Sequence, residues 1–269
     1  MIKKIVNYLK EIAYEYKLID LLRKFYWMIK GSTKVGEKVS ITVDSVESVF
    51  YVNSSTEYSV VNAIHDESAV IKKIMEECQD GDVFWDIGAN IGTFSCMLKH
   101  KSIHTVCFEP YRPNVNALER NLYENNDSYE IMEMALSNFN GKAEFSVNYS
   151  EQPGSQQGSI VTNYAEGRVL KTTEIQVKKG DSLVESGKTP APNIAKMDVE
   201  GAAIKVIEGM ENVLRNNKCR LVCIEPHNNI EEIRKIITNI GFQVKNINLS
   251  GERSGDPPTM LCYDVEELK

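Results

Sequence analysis

The chain has 269 residues, 31 Lys+Arg against 38 Asp+Glu for a net charge of −7, and 42% hydrophobic and 26% charged residues. This is ordinary globular composition in a chain long enough to bury roughly 70–75% of its unfolded surface, so one large domain or a domain with an extension is expected. It excludes a fibre and a disordered tail; no run of about 18 apolar residues marks a transmembrane helix, and the acidic balance argues against nucleic acid as a partner.

Compartment follows from cysteine usage. Cys78, Cys96, Cys107, Cys219, Cys223 and Cys262 form no C-x-x-C pair, and most sit in apolar runs. They read as reduced core residues of a cytoplasmic protein, with no zinc site. No continuous apolar run or small-residue cleavage site follows Met1, so no secretory signal is expected.

In chain order, Ile2, Ile5, Val6, Leu9 and Ile12, then Ile19, Leu22 and Phe25, predict one or two amphipathic helices. Residues 1–36 hold eight Lys/Arg and three Asp/Glu, net +5, which leaves −12 for the rest. Weak contact of residues 1–30 with an anionic membrane surface is one reading; packing on the domain or on a partner subunit is the preferred one. Residues 37–64 alternate and predict a small antiparallel hairpin. A helix follows over 67–78. The expected boundary is an N-terminal extension at 1–66 and a main domain at 67–269.

From Val83 the pattern becomes regular. Strands are expected at 83–88, 104–109, 129–136, 194–198 and 220–225, with helices at 93–101, 113–125, 202–215 and 230–240 between them. Residues 137–180 form an insertion with two strand-like runs and a polar loop at 152–159. Two final strands, at 242–249 and 260–265, close the chain. Alternating strands and helices predict an α/β fold with a mostly parallel sheet covered on both faces, which binds ligands at the carboxyl ends of its strands.

At the first strand end stands Asp86-Ile87-Gly88-Ala89-Asn90-Ile91-Gly92-Thr93. Its glycines let a ligand approach the backbone, but the spacing is not the dinucleotide G-x-G-x-x-G, and no phosphate-loop Lys-Ser/Thr follows. A carboxylate there repels a pyrophosphate and suits an ammonium. Glu109-Pro110 ends the second strand, where an acid accepts hydrogen bonds from a ribose diol. Together the two sites describe an adenosine ligand with a cationic amino-acid tail, S-adenosylmethionine.

These residues, with Lys196-Met197-Asp198-Val199-Glu200-Gly201, resemble the FkbM-type class I methyltransferases. Further matches are Ala135-Leu136-Ser137 with Gly141, Gly180-Asp181-Ser182-Leu183, and Ile224-Glu225-Pro226-His227. The likeness spans about residues 67–265. One departure is Ala203, where the family often carries Glu. The resemblance implies a seven-stranded Rossmann-like sheet and S-adenosylmethionine-dependent methylation, commonly of hydroxyls on sugars or secondary metabolites. It implies that Asp86 and the backbone of Gly88, Ala89, Asn90, Gly92 and Thr93 surround the methionine part. Glu109, with Pro110 behind it, takes the ribose; Met134 and Ala135 flank the adenine; Asp198 faces the reacting centre.

A hydroxyl acceptor must lose its proton, to a base or with the help of a metal. His100 and His104 flank the start of the second strand, the wrong end, and the position of His65 is open. His227 lies at the productive end and is the expected general base, oriented by Glu225, with Glu200 and Asp198 beside it. A plain helix cap at Glu225 and His227 is the alternative. A divalent ion on Asp198, Glu225 and His227, with Glu200 near by, is the less favoured arrangement. Asp256-Pro257-Pro258-Thr259 imitates an amine-methyltransferase motif but lies between the last two strands, so a turn is expected. Ser155, Gln156, Gln157 and Ser159 suit a sugar or polyol. The leading expectation is O-methylation of a glycan or small hydroxylated metabolite; N-methylation, a non-catalytic cofactor-binding scaffold and an NAD-dependent dehydrogenase are the alternatives.

Overall fold

The structure, a computed structural model, describes residues 33–99, 102–147, 153–154, 159–160, 171–216, 218–227, 229–247 and 259–264. The expectations for residues 1–30, His100, residues 155–157 and the turn at 256–258 lie outside them, as does the side chain of Ser159.

The hairpin is β1 (Glu37–Val43) and β2 (Val46–Val52), paired antiparallel. It ends earlier than expected, because Tyr58 and Val60 lie on a helix, α1 (Ser55–Ala63), and not on a strand. Ser54 caps that helix by accepting from the Glu57 amide at 3.0 Å. Next comes α2 (Ser68–Glu77), with Val70, Ile71, Ile74 and Met75 turned inward.

The main sheet is built from β3 (Val83–Ile87), β4 (His104–Phe108), β5 (Tyr129–Met132), β10 (Ile194–Met197), β11 (Leu221–Ile224), β12 (Phe242–Ile247) and β13 (Thr259–Asp264). Its order is β12-β13-β11-β10-β3-β4-β5. β13 runs antiparallel to both β11 and β12, and the other pairings are parallel. The order reverses at β3, so a crevice opens beyond the carboxyl ends of β3, β4 and β10.

Both faces are covered. Phe84, Cys107, Ile194 and Cys223 turn to one side, against α2, α3 (Thr93–Met97), α4 (Arg112–Asn125) and the hairpin. Trp85, Ile87, Val106, Ala195 and Val222 turn to the other, against α6 (Ala203–Gly209), α7 (Glu211–Arg215) and α8 (Ile230–Ile240). Near-continuous apolar runs are what a strand buried on both faces needs. All six cysteines are free and buried.

Residues 37–64 share the first of these cores, with Phe50, Val52, Val61 and Ile64 fully covered. Two asparagines of α4 fasten the hairpin. Asn121 accepts from the Tyr51 amide at 3.0 Å and donates to the Ile91 carbonyl; Asn125 accepts from the Val49 amide at 2.9 Å and donates to the Val49 carbonyl. Side-chain amides thus satisfy backbone groups of β2 that no further strand covers.

Three expected elements are broken. The strand read over 129–136 stops at Met132, and Ala135–Leu136 forms β6 in a separate four-stranded sheet of order β6-β9-β7-β8. Its other members are β7 (Gly141–Val147), β8 (Ser159–Ile160) and β9 (Lys171–Lys178), all within the expected insertion. The helix after β3 ends at Met97. The helix read over 202–215 bends at Met210, between α6 and α7. The short α5 (Gly180–Glu185) leads into β10.

Candidate active site

A cleft of about 1030 Å³, open mouth included, lies at the β3–β10 crossover, a size suited to a small-molecule site. Its lining combines the apolar or aromatic Phe108, Pro110, Tyr111, Leu136, Phe145 and Val147 with the titratable Glu67, Glu109, Asp198, Glu200, Glu225 and His227.

The turn after β3 forms the floor. Gly88 has φ +82°, and a Cβ there would sit 1.9 Å from the Asp198 carbonyl oxygen. Only glycine lets the tips of β3 and β10 approach so closely. Gly88 and Asn90 line the cleft, but Ala89, Gly92 and Thr93 do not. The amides of Gly88 and Ala89 both donate to the Phe108 carbonyl, and that of Gly92 to the Ala89 carbonyl, so they brace the turn internally. Asn90 has φ 51°, a strained value for a non-glycine residue, and its buried Oδ1 lacks a hydrogen-bond partner among the described residues.

Glu109 is buried at the tip of β4. Its carboxylate accepts from the Asn90 amide at 2.9 Å and the Tyr111 amide at 2.9 Å. Burial pushes it up to about 7, against the lowering effect of these bonds and of Asn114. Each oxygen keeps acceptor capacity for a further donor.

Asp86 departs from expectation. It follows Phe84 in the strand alternation and so points beneath α3, away from the cleft. Ser95 Oγ donates to its Oδ2 at 2.6 Å, and Lys196 Nζ lies 3.9 Å from its Oδ1. The parallel register sets Asp86 directly beside Lys196. Lys196 is itself buried, 3.4 Å from Asp198 and 4.5 Å over the Phe94 ring. Burial pulls its pKa down, but Asp198 and Asp86 outweigh this and hold the ammonium charged. Met134 also leaves the cleft: its amide bonds back to the Met132 carbonyl at 2.7 Å, and its side chain joins Lys178 and Lys188 around another groove.

Beyond β10 and β11, His227 Nε2 and Asp198 Oδ1 are 2.9 Å apart, and His227 Nδ1 is 3.8 Å from Glu200. The orienting carboxylate is therefore Asp198, where Glu225 was expected. The Asp198 hydrogen bond lifts His227 to about 9, against partial burial. Burial pushes Asp198 up, but Lys196 and His227 together hold it below its ordinary value. Glu200 has φ 32°, a second strained position on the cleft wall. Asp198, Glu225 and His227 each offer a ligand atom within 4.8 Å of the others, as a metal site would need, though a buried ammonium already sits against Asp198. His104 Nδ1 pairs with Ser128 Oγ at 3.0 Å, away from the cleft, and His65 is exposed.

Sequence reasoning missed Glu67, Tyr111, Asn114, Phe145 and Val147. Tyr111 and Asn114 follow Glu109 at the start of α4, so the strand-end rule applied a few residues further would have found them.

A seven-stranded, mostly parallel sheet with an antiparallel penultimate strand and a cleft at its order reversal defines the class I methyltransferase-like α/β fold. The sequence pattern of the "Methyltransferase FkbM domain" matches residues 86–244, more than half of the chain. The protein belongs to the FkbM methyltransferase family. It is 28% identical over 214 residues to "Hexuronic acid methyltransferase AglP" of Haloferax volcanii, covering 79% of this chain and 84% of that one. It is 28% identical over 194 residues to "Methyltransferase 1" of Beauveria bassiana, covering 65% of this chain and 76% of that one. The crystal structure of Methyltransferase FkbM from Methylobacillus flagellatus superimposes with a TM-score of 0.50 at 15% identity. The match takes in 91% of this chain but only 60% of that longer one. No helix among the described residues is long and apolar enough to cross a membrane.

Proposed function

We propose that the cleft binds S-adenosylmethionine and that the protein transfers its methyl group to a hydroxyl of a sugar, glycan or small hydroxylated metabolite. The observation that carries this reading is Glu109, a buried carboxylate fixed by two backbone amides at the tip of β4, in one cleft with the acidic tip of β10. Glu109 receives the ribose diol; Ala135, Leu136 and Phe108 offer an apolar seat for the adenine; Gly88 and Asn90 face the methionine part. When bound, the cofactor supplies a methyl group already activated for in-line displacement.

The chain's own work is then positioning and proton removal. Asp198 holds Nε2 of His227 as the protonated ring nitrogen, which leaves Nδ1 to accept the hydroxyl proton. In the free protein His227 carries a proton at neutral pH, because its pKa is lifted to about 9. A second cation in the cleft opposes that charge and moves His227 toward the neutral base. Residues 67–269 form the methyltransferase unit in this reading, with residues 1–66 as an extension. Six buried free thiols suit the cytoplasm.

The relative named as a hexuronic acid methyltransferase supports a sugar as acceptor. The test is transfer of label from methyl-labelled S-adenosylmethionine to a panel of oligosaccharides and amines. Label held as an alkali-stable ether on a sugar is the expected result. Label found only on amines would reject O-methylation.

A further inference from the structure

Any ligand with an ammonium needs a carboxylate that is free to receive it. The acid expected in that role, Asp86, is engaged by Ser95 and Lys196 and does not reach the cleft. Asp198 is shared between Lys196 and His227, and Glu200 stands beside His227. Glu225 makes no side-chain hydrogen bond or ion pair among the described residues, but it lies within 4.8 Å of His227 and Asp198, so its charge faces the His227 ring.

Glu67 is different. Its side chain lines the cleft and makes no hydrogen bond or ion pair at contact distance among the described residues; burial, with Asp198, Glu225 and Asp86 near by and only Lys196 opposing, pushes it up to about 8, so an incoming ammonium would restore its charge. It stands at the N-cap of α2, yet its carboxylate makes no capping hydrogen bond. Its backbone is anchored on both sides, the amide to the Ala63 carbonyl and the carbonyl to the amides of Val70 and Ile71. It also lines the small cavity that holds Lys196, so it adjoins the ammonium that occupies Asp86. It precedes the segment that matches the family, residues 86–244.

We propose that Glu67 is the binding residue for the α-ammonium of S-adenosylmethionine, a role open to it because Lys196 has taken Asp86. The proposal rests on the cofactor reading above. It assigns a cofactor contact to a residue ahead of the glycine turn, on the helix that joins the extension to the main sheet.

The test compares S-adenosylhomocysteine with its des-amino analogue by calorimetry, on wild type and on Glu67→Gln. In wild type, loss of the ligand amine is expected to weaken binding at least thirtyfold. In Glu67→Gln both ligands should bind with nearly equal, reduced affinity, within threefold of each other. An amine preference in Glu67→Gln as large as in wild type overturns the proposal, as does its absence in wild type. If Glu67→Gln does not fold, Glu67→Asp keeps the charge and improves the cap; it should keep an amine preference of lower magnitude, and an undiminished one counts against Glu67. Failure of wild type to bind S-adenosylhomocysteine at all would refute the cofactor reading itself, and the proposal with it.

Discussion

Replacement of Lys196 by methionine isolates the buried charge network. The side chain is 7% exposed, and its partners are Asp86 at 3.9 Å, itself 1% exposed, and Asp198 at 3.4 Å. Methionine keeps most of the volume and removes the charge, leaving Asp86 as a buried carboxylate without a compensating cation. Breaking one side of such a pair costs about 3–5 kcal/mol. For a chain of this size that is a fall in Tm of roughly 6–20 °C. Burial already raises Asp86 above its ordinary value, and loss of Lys196 raises it further. A carboxyl whose folded pKa lies above the unfolded one penalises the fold increasingly as pH climbs past about 4. The destabilisation should therefore be small near pH 4 and grow towards pH 7. Urea denaturation of wild type, Lys196→Met and Lys196→Met/Asp86→Asn across that range reads it out. The double variant should regain more than half of the loss. A single variant within about 1 kcal/mol of wild type at pH 7, or a double variant no better than the single, would refute the reasoning.

Other consequences are as direct. Gly88→Ala must place a methyl group 1.9 Å from the Asp198 carbonyl oxygen at a φ of +82°; strain and overlap together cost roughly 2–5 kcal/mol, and calorimetry should show no remaining S-adenosylhomocysteine binding. Asn121→Leu leaves the Tyr51 amide and the Ile91 carbonyl unpaired beneath the hairpin, a loss of roughly 1–3 kcal/mol per orphaned group in urea melts, with unchanged position of the main-sheet amides in NMR spectra. The His227 ring should titrate near pH 9 by NMR in wild type and move towards its ordinary value in Asp198→Asn. Because that pKa is raised on folding, the stability from the pair is complete below about pH 6.5 and is lost as pH rises through 9, which a comparison with His227→Gln measures.

The central strands of the main sheet were legible because they are short, mostly apolar runs such as Val83–Ile87 or Leu221–Ile224, buried on both faces. Their carboxyl tips then pointed to Gly88, Glu109 and His227, and the family resemblance added Asp198; all four line the cleft. Helix α1 was misread because Tyr58, Val60 and Val61 favour strands. The corrective signal was present: Ser54 stands three residues before Glu57, a helix-start pattern, and Ser54 does cap the helix. The split of the third strand was not legible, since Tyr129–Leu136 reads as one run and only pairing with β9 shows that its end changes sheet. The fate of Asp86 depended on a register, Asp86 beside Lys196, that joins residues 110 positions apart and leaves no local trace. Glu67 looked like any acid before a helix; it acquires meaning only where α2 meets the tip of β10.

The account stands or falls on the cofactor. Calorimetry of S-adenosylhomocysteine against wild type and a folded Glu109→Ala variant, with NAD as a control ligand, measures it. The expected result is micromolar binding to wild type, at least a tenfold loss in the variant and no heat with NAD. A folded wild-type protein that ignores S-adenosylhomocysteine, or binds it equally well without Glu109, would contradict it.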